Sequence, residues 1–280
     1  MPIQRRIILS QRSFRVGLCV AFALFGYASV AFSLDPRKQI DQYVHDSWNS
    51  RRDFPGDAVY QILQTSDGYL WLRTAGGLIR FDGVHFVPMD AVVGKEPVKA
   101  IATSTAGGLL IRTTSRTVIY KDGSFADLLP PAPLPDGEIR SVFEAGAQEV
   151  LVGSDNFIYL IRDNKIRLLH DYTSWITSFL RDDQGQIWIA GQKALYVYRN
   201  GILSISPIAI DKLGAYALAL DHERRLWVGM QNGLYQLGLN GRALEPVAPA
   251  AIHGRVNAIL EDRQGNRWVG TTASGLFRQR

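Results

Sequence analysis

One cysteine, Cys19, and five histidines are all that 280 residues offer to thiol and metal chemistry. A lone thiol excludes an internal disulfide, a cysteine-based zinc site and an iron–sulfur cluster, each of which takes more than one. His45, His85, His170, His222 and His253 are scattered, without the spacing of a metal pair. His222, in Asp221-His222-Glu223, reads as a solvated turn residue before it reads as a general base. The chain also lacks a Gly-x-Ser-x-Gly elbow, a phosphate-binding loop, a His-Glu-x-x-His pair and a dinucleotide fingerprint. The commonest hydrolase, nucleotidase, metalloprotease and dehydrogenase signatures are therefore missing. Aspartates recur singly in turns, short of the about six to eight oxygens that calcium takes, so neither metal nor cofactor is expected.

Nor is one sign of charge in excess along the chain. The formal net charge is +5, but Arg5, Arg6, Arg12 and Arg15 stand in the first 34 residues, where there is no acid. The remainder carries 27 basic against 26 acidic residues, so a footprint for phosphate backbones is absent and no nucleic-acid partner is expected. Hydrophobic residues at 46% and charged residues at 20% are the usage of a folded globular chain. The basic start precedes an apolar run, Val16 to Phe32, and the first acid is Asp35, which is the charge order of a secretory signal. Cleavage after Ala31 or after Ser33 satisfies the small-x-small rule. The run of about 17 residues also reaches the short end of what spans a bilayer. Residues 1–33 are accordingly a signal peptide or an inner-membrane signal anchor, and either assignment puts residues 34–280 in the periplasm.

What is abundant is repetition. One anchor position reads Trp71, Leu110, Leu151, Trp188, Trp227 and Trp268, at intervals near 40 residues, a period that decides architecture. Each copy opens with a β-type run, such as Val59 to Leu63 or Val256 to Leu260. A polar turn follows, such as Asp182-Asp183-Gln184-Gly185, in which aspartate bonds nearby amides and glycine supplies positive φ. A second strand holds the anchor, a Gly-containing turn leads to a third, and several copies add a weaker outer strand. Four strands per repeat make a propeller blade. The tryptophans recur at one strand position, which assigns them to the wedge between blades, with the indole N–H bonded to a backbone acceptor, and not to a sugar-stacking platform. The fold class is all-β: a β-propeller of about six four-stranded blades. It is either closed by Gln42 to Trp48 pairing with Leu276 to Arg278 or an open part of a seven-bladed propeller.

The strings Asp67-Gly68-Tyr69-Leu70-Trp71-Leu72-Arg73-Thr74 through Asp82-Gly83, and Gln264-Gly265-Asn266-Arg267-Trp268-Val269-Gly270-Thr271 through Arg278, resemble two-component regulator propeller repeats. Tyr43 to Trp48 followed by Phe54-Pro55-Gly56 is similar to the start of such sensor regions. The resemblance is strong in copies one, four, five and six and weak in two and three. It implies a periplasmic sensor region of a bacterial signalling protein, in which a membrane span and a histidine kinase or diguanylate cyclase usually follow. This chain departs from that pattern at Arg280, so it is expected to lack its own output domain and to act with a membrane-bound kinase or cyclase module.

Loops between second and third strands, and those leading into first strands, open on one face of a propeller. The expected ligand face therefore holds Thr74, Thr113, Asn156, Gln192, Gln231, Asn232 and Thr272, with Trp175 before the fourth first strand. Where other copies have Gly153, Gly229 and Gly270, copies one and two have Arg73 and Arg112, a pair suited to a carboxylate or phosphate or, alternatively, to packing between blades. The expectation is a non-catalytic sensor of a small-molecule or glycan-type ligand. The alternative is a propeller enzyme that resembles streptogramin lyases, whose repeats share the Asp-x-x-Gly-x-x-Trp pattern and which would need histidine and acid together at the channel mouth.

Overall fold

Runs of β-branched and aromatic residues separated by Asp-Gly or Asn-Gly turns leave the backbone little choice but antiparallel hairpins. The computed structural model describes residues 54–279 apart from 56–57, 90–95, 106, 136, 172–174, 211–213, 239–242, 248–251, 253, 262–264 and 274. Those residues contain no helix, and none is long and apolar enough to cross a membrane. The leader, the closing segment Gln42 to Trp48, and His45 and His253 lie outside the described residues.

Six antiparallel sheets follow one another in chain order. Blade one is Val59–Gln64, Leu70–Thr74, Gly77–Phe81 and Phe86–Pro88. Blade two is Val98–Thr103, Leu109–Thr113, Thr117–Lys121 and Ser124–Leu129. Blade three is Ile139–Gly146, Glu149–Ser154, Phe157–Arg162 and Lys165–Asp171. Blade four is Ile176–Arg181, Ile187–Gly191, Leu195–Arg199 and Ile202–Ile205. Blade five is Ala215–Leu220, Leu226–Met230, Gly233–Leu237 and Leu244–Pro246. Blade six has three strands among the described residues, Val256–Glu261, Arg267–Thr271 and Leu276–Gln279. Copies two and three, whose sequence signal is faint, form blades as regular as the rest, because Leu110 and Leu151 bury completely where the other copies have tryptophan.

The first strand of each blade packs on the first strand of the next, so the first strands lie innermost around the propeller axis and the fourth outermost. The core is a series of wedges between sheets. Trp71 of blade one lies among Leu109, Ile111, Val118 and Tyr120 of blade two, and Trp227 of blade five faces Val256 and Val269 of blade six. The indole N–H groups correct one expectation: their acceptors are side chains of the first turn, not backbone. Trp71 donates to Thr65 Oγ1 at 3.0 Å, Trp188 to Asp182 Oδ2 at 2.9 Å and Trp227 to Asp221 Oδ2 at 2.9 Å. Each acceptor stands six residues before its tryptophan. Asp182 and Asp221 also accept amides of their own turn, from Gln186 and Arg225 at 2.9 Å. Aspartate at this spacing thus ties the turn to the wedge.

Candidate functional site

The turns joining first to second strands lie on one face, and the loops joining second to third strands open on the other, beside the starts of the innermost strands. At those starts every blade breaks its pairing in the same place. In blade one, Val59 pairs with Thr74 and Gln61 with Arg73, so Tyr60 is left over. The same slip leaves over Lys99, Arg140, Thr177, Tyr216 and Asn257 in the blades that follow. A bulge of this kind releases a residue from the ladder and re-aims its side chain. Repeated six times on the strands nearest the axis, it sets a row of six residues of five types around the mouth of the channel.

Along this row, arginines lie over aromatic faces. The Arg73 guanidinium is 4.8 Å from the Tyr60 ring centroid, Arg140 is 5.3 Å from Trp175, and Arg255 is 4.9 Å from Tyr216. Each arginine is also oriented by an acceptor: Gln61 Oε1 for Arg73 at 2.8 Å, both oxygens of Asp155 for Arg140, and Asn257 Oδ1 for Arg255 at 2.8 Å. Lys99 pairs with Glu138 at 2.9 Å. Burial depresses the proton affinity of Arg73; Tyr60 opposes this, and the charge of Arg140 in blade three adds to it. The hydrogen bond to Asp155 raises that of Arg140. A planar, weakly hydrated guanidinium held over a ring suits both carboxylate binding and stacking.

Of the residues read from sequence, Arg73 and Trp175 border this row, and Trp175 is 47% exposed. Thr272 accepts a bond from Asn257 at 3.1 Å and donates to the Arg255 carbonyl. Asn156, Gln231 and Asn232 lie exposed in the loops of the same face, Gln192 is half-buried, and Asn232 donates to Tyr235 Oη. Thr74 is buried and donates to the Gly77 carbonyl, closing its own loop.

Arg112 is fully buried, in contrast to an arginine offered to a ligand. Its guanidinium donates to the carbonyls of Ala132 at 2.6 Å and Ser115 at 3.1 Å, and to Thr117 Oγ1 at 2.9 Å. Burial lowers its pKa to about 10, which leaves it charged at neutral pH. It is a packing residue that stitches blade two to its linkers. Beside it, Thr113 and Ser115 donate to Glu96, and these bonds hold the Glu96 carboxyl down at about 2. The glycines opposite the arginines have a separate cause. A Cβ on Gly153 would come within 2.6 Å of Ile176 Cγ2, and one on Gly229 within 2.7 Å of Val256 Cγ1, because the next blade presses there.

Among the described residues, His222 Nδ1 lies 2.6 Å from Glu261 Oε1 and His85 Nδ1 lies 3.4 Å from Asp82 Oδ2. Both pairs occupy turns on the face opposite the mouth. No three His, Cys, Asp or Glu side chains of the described residues gather where they could hold a metal ion. The six bulged residues are the part that the sequence reading missed. Their only signal is positional, the second residue of every first strand, and no one residue type marks them.

The profile of the two component regulator propeller family matches residues 53–76. Searching curated protein sequences gives no match. Among solved structures, the extracellular domain of a one component system from B. thetaiotaomicron aligns over 79% of this chain and 38% of its own, at 19% identity and TM-score 0.50. That of a hybrid two component system from the same organism aligns over 82% and 41%, at 16% identity and TM-score 0.54. The chain thus spans less than half the length of these two domains. Virginiamycin B lyase from Staphylococcus aureus aligns over 79% of this chain and 83% of its own, at 16% identity and TM-score 0.60. At identities this low, the likeness extends to the propeller fold alone.

Proposed function

We propose, for a chain that carries the two-component regulator propeller repeat, that it is the ligand-reading propeller of an exported bacterial signalling protein and has no catalytic role of its own. The observation that carries this reading is the row of six bulged residues, where equivalent positions on a repetitive scaffold hold side chains that are mostly polar or aromatic and, apart from Thr177, which bonds carbonyls of two blades, face the mouth. Cations Arg73, Lys99, Arg140 and Arg255 stand there against the carboxylates Glu138 and Asp155, with Tyr60, Trp175 and Tyr216 as faces for stacking. A small anionic ligand with a flat or sugar-like face fits that chemistry. Output passes to a membrane-bound kinase or diguanylate cyclase. The leader at residues 1–33 delivers the propeller to the periplasm, and sequencing of the exported protein should find its N-terminus near Phe32 or Leu34.

The direct test is titration with glucuronate, with glucose as the uncharged control, followed through tryptophan fluorescence and calorimetry. Glucuronate should bind and perturb Trp175, and Arg140→Ala should weaken it about 10-fold or more. Equal affinity for both sugars, or no loss in the variant, would refute the site. The lyase reading draws on the shared fold and on the His222–Glu261 pair, but that pair sits on the turn face, away from the row. Turnover of a streptogramin by this chain that depended on His222 would reverse the choice.

A further inference from the structure

The five junctions between consecutive blades are built alike. At four of them the anchor residue and an apolar residue of the third strand press on alternate side chains of the next blade, as Trp71 and Leu78 press on Ile101, Ile111 and Val118; in blade two the third-strand position is Thr117. The two ends of the series carry the two halves of one more junction, and both halves are exposed. On blade six, Leu276 is 53% exposed, whereas its counterparts Leu78 and Leu195 are completely buried. On blade one, Ile62 is 61% exposed where Ile101 is 3%, and Val59 is 41% exposed where Ile176 and Val256 are 0%.

A glycine sharpens the match. Gly153 and Gly229 make room for Ile176 and Val256, the first residues of the following blades. Gly270 holds the same position in blade six, yet a Cβ there would meet nothing nearer than Ala258 Cβ at 3.5 Å. The recess exists and is open. The residue that fills it at earlier junctions is an apolar β-branched one at the start of a first strand, and blade one begins with Val59. Knob and recess therefore sit at opposite ends of one chain, and in this structure neither is covered by the other.

We propose that blade six of one copy receives blade one of a second copy, with Val59 entering the Gly270 recess and Ile62 meeting Leu276. Such a contact is heterologous, so it propagates head to tail and does not close as a symmetric pair. A face of three or four strands is only about 15 Å across, well below a standard stable interface, so the association is weak and depends on concentration.

Sedimentation velocity of the full chain from about 10 μM to about 1 mM tests this. Reversible growth beyond the monomer is expected, and Gly270→Leu and Ile62→Lys should each weaken it about 10-fold or more. Neither change disturbs the fold, since Gly270 has room for a side chain and Ile62 is exposed; Leu276→Lys replaces the glycine variant if melting curves say otherwise. The decisive arm mixes the two single variants. Each retains one intact end, so the mixture should stop at a 1:1 dimer. A monomer at every concentration, as intramolecular closure or an added blade would give, overturns the proposal. So does association that survives in both variants, or a mixture that behaves like either variant alone.

Discussion

The turn face and the mouth face of the propeller are made by the same six repeats and obey opposite rules. On the turn face, the same device recurs in different blades: a turn residue six positions before the tryptophan accepts its indole N–H, as Thr65, Asp182 and Asp221 do. On the mouth face, an equally regular backbone event, the bulge, delivers tyrosine, lysine, arginine, threonine, tyrosine and asparagine. Sameness in a repeat protein marks what neighbouring repeats need from each other. Difference at a geometrically identical position marks what the outside world reads.

That contrast can be broken by mutation, starting with the wedge. Trp227→Ala empties a buried site and removes one of the donors to Asp221, and should cost about 3–5 kcal/mol by chemical denaturation. Arg112→Ala should follow at about 2–4 kcal/mol, since it strands the buried carbonyl of Ala132 and empties the guanidinium's space; a cost like that of a surface arginine would return Arg112 to the ligand face. Asp221→Asn keeps the shape and loses the charge-assisted bonds, for about 1–2 kcal/mol. Burial alone would raise the Asp221 carboxyl, but the bonds from Trp227 and Arg225 outweigh it and hold it below the usual range.

Glu96 gives a pH signature. Its carboxyl is held at about 2 in the folded chain, against the ordinary 4.5, so its contribution is complete above about pH 4.5 and is lost as the pH falls toward 2. Glu96→Gln should flatten the stability profile in that window: its destabilisation should be fully present at pH 7 and fade as the pH falls toward 2, where the wild-type carboxyl is also neutral. The smallest effect belongs to the mouth. Tyr60→Ala should shift stability by no more than about 0.5 kcal/mol while still lowering affinity for glucuronate. A large loss of stability there would make the row structural and end the contrast between the faces.

Most of the scaffold was legible because its causes are local and repeated. Anchors, Asp-Gly turns and first strands stand at one period, so Trp71, Trp188 and Trp227 could be placed in the wedges before any coordinate. Arg73 and Trp175 could be placed on the mouth face by counting loops. The bulges could not, because a slip of one residue in pairing leaves no mark in composition. A search for recurrence also passes over positions such as Tyr60, Arg140 and Asn257, whose property is to differ. The fate of Arg112 was hidden for another reason: whether a guanidinium meets solvent or three oxygens depends on where Ala132 and Ser115 come to lie, which is set by linker geometry.

The bulged position has an evolutionary consequence. Because each of the six residues is lifted out of the hydrogen-bonded ladder, replacing it leaves the alternation of apolar side chains below it undisturbed. A descendant of this gene can therefore try a new residue in one blade while five others continue to hold the previous specificity. Recognition can drift by single steps over a scaffold that selection keeps still.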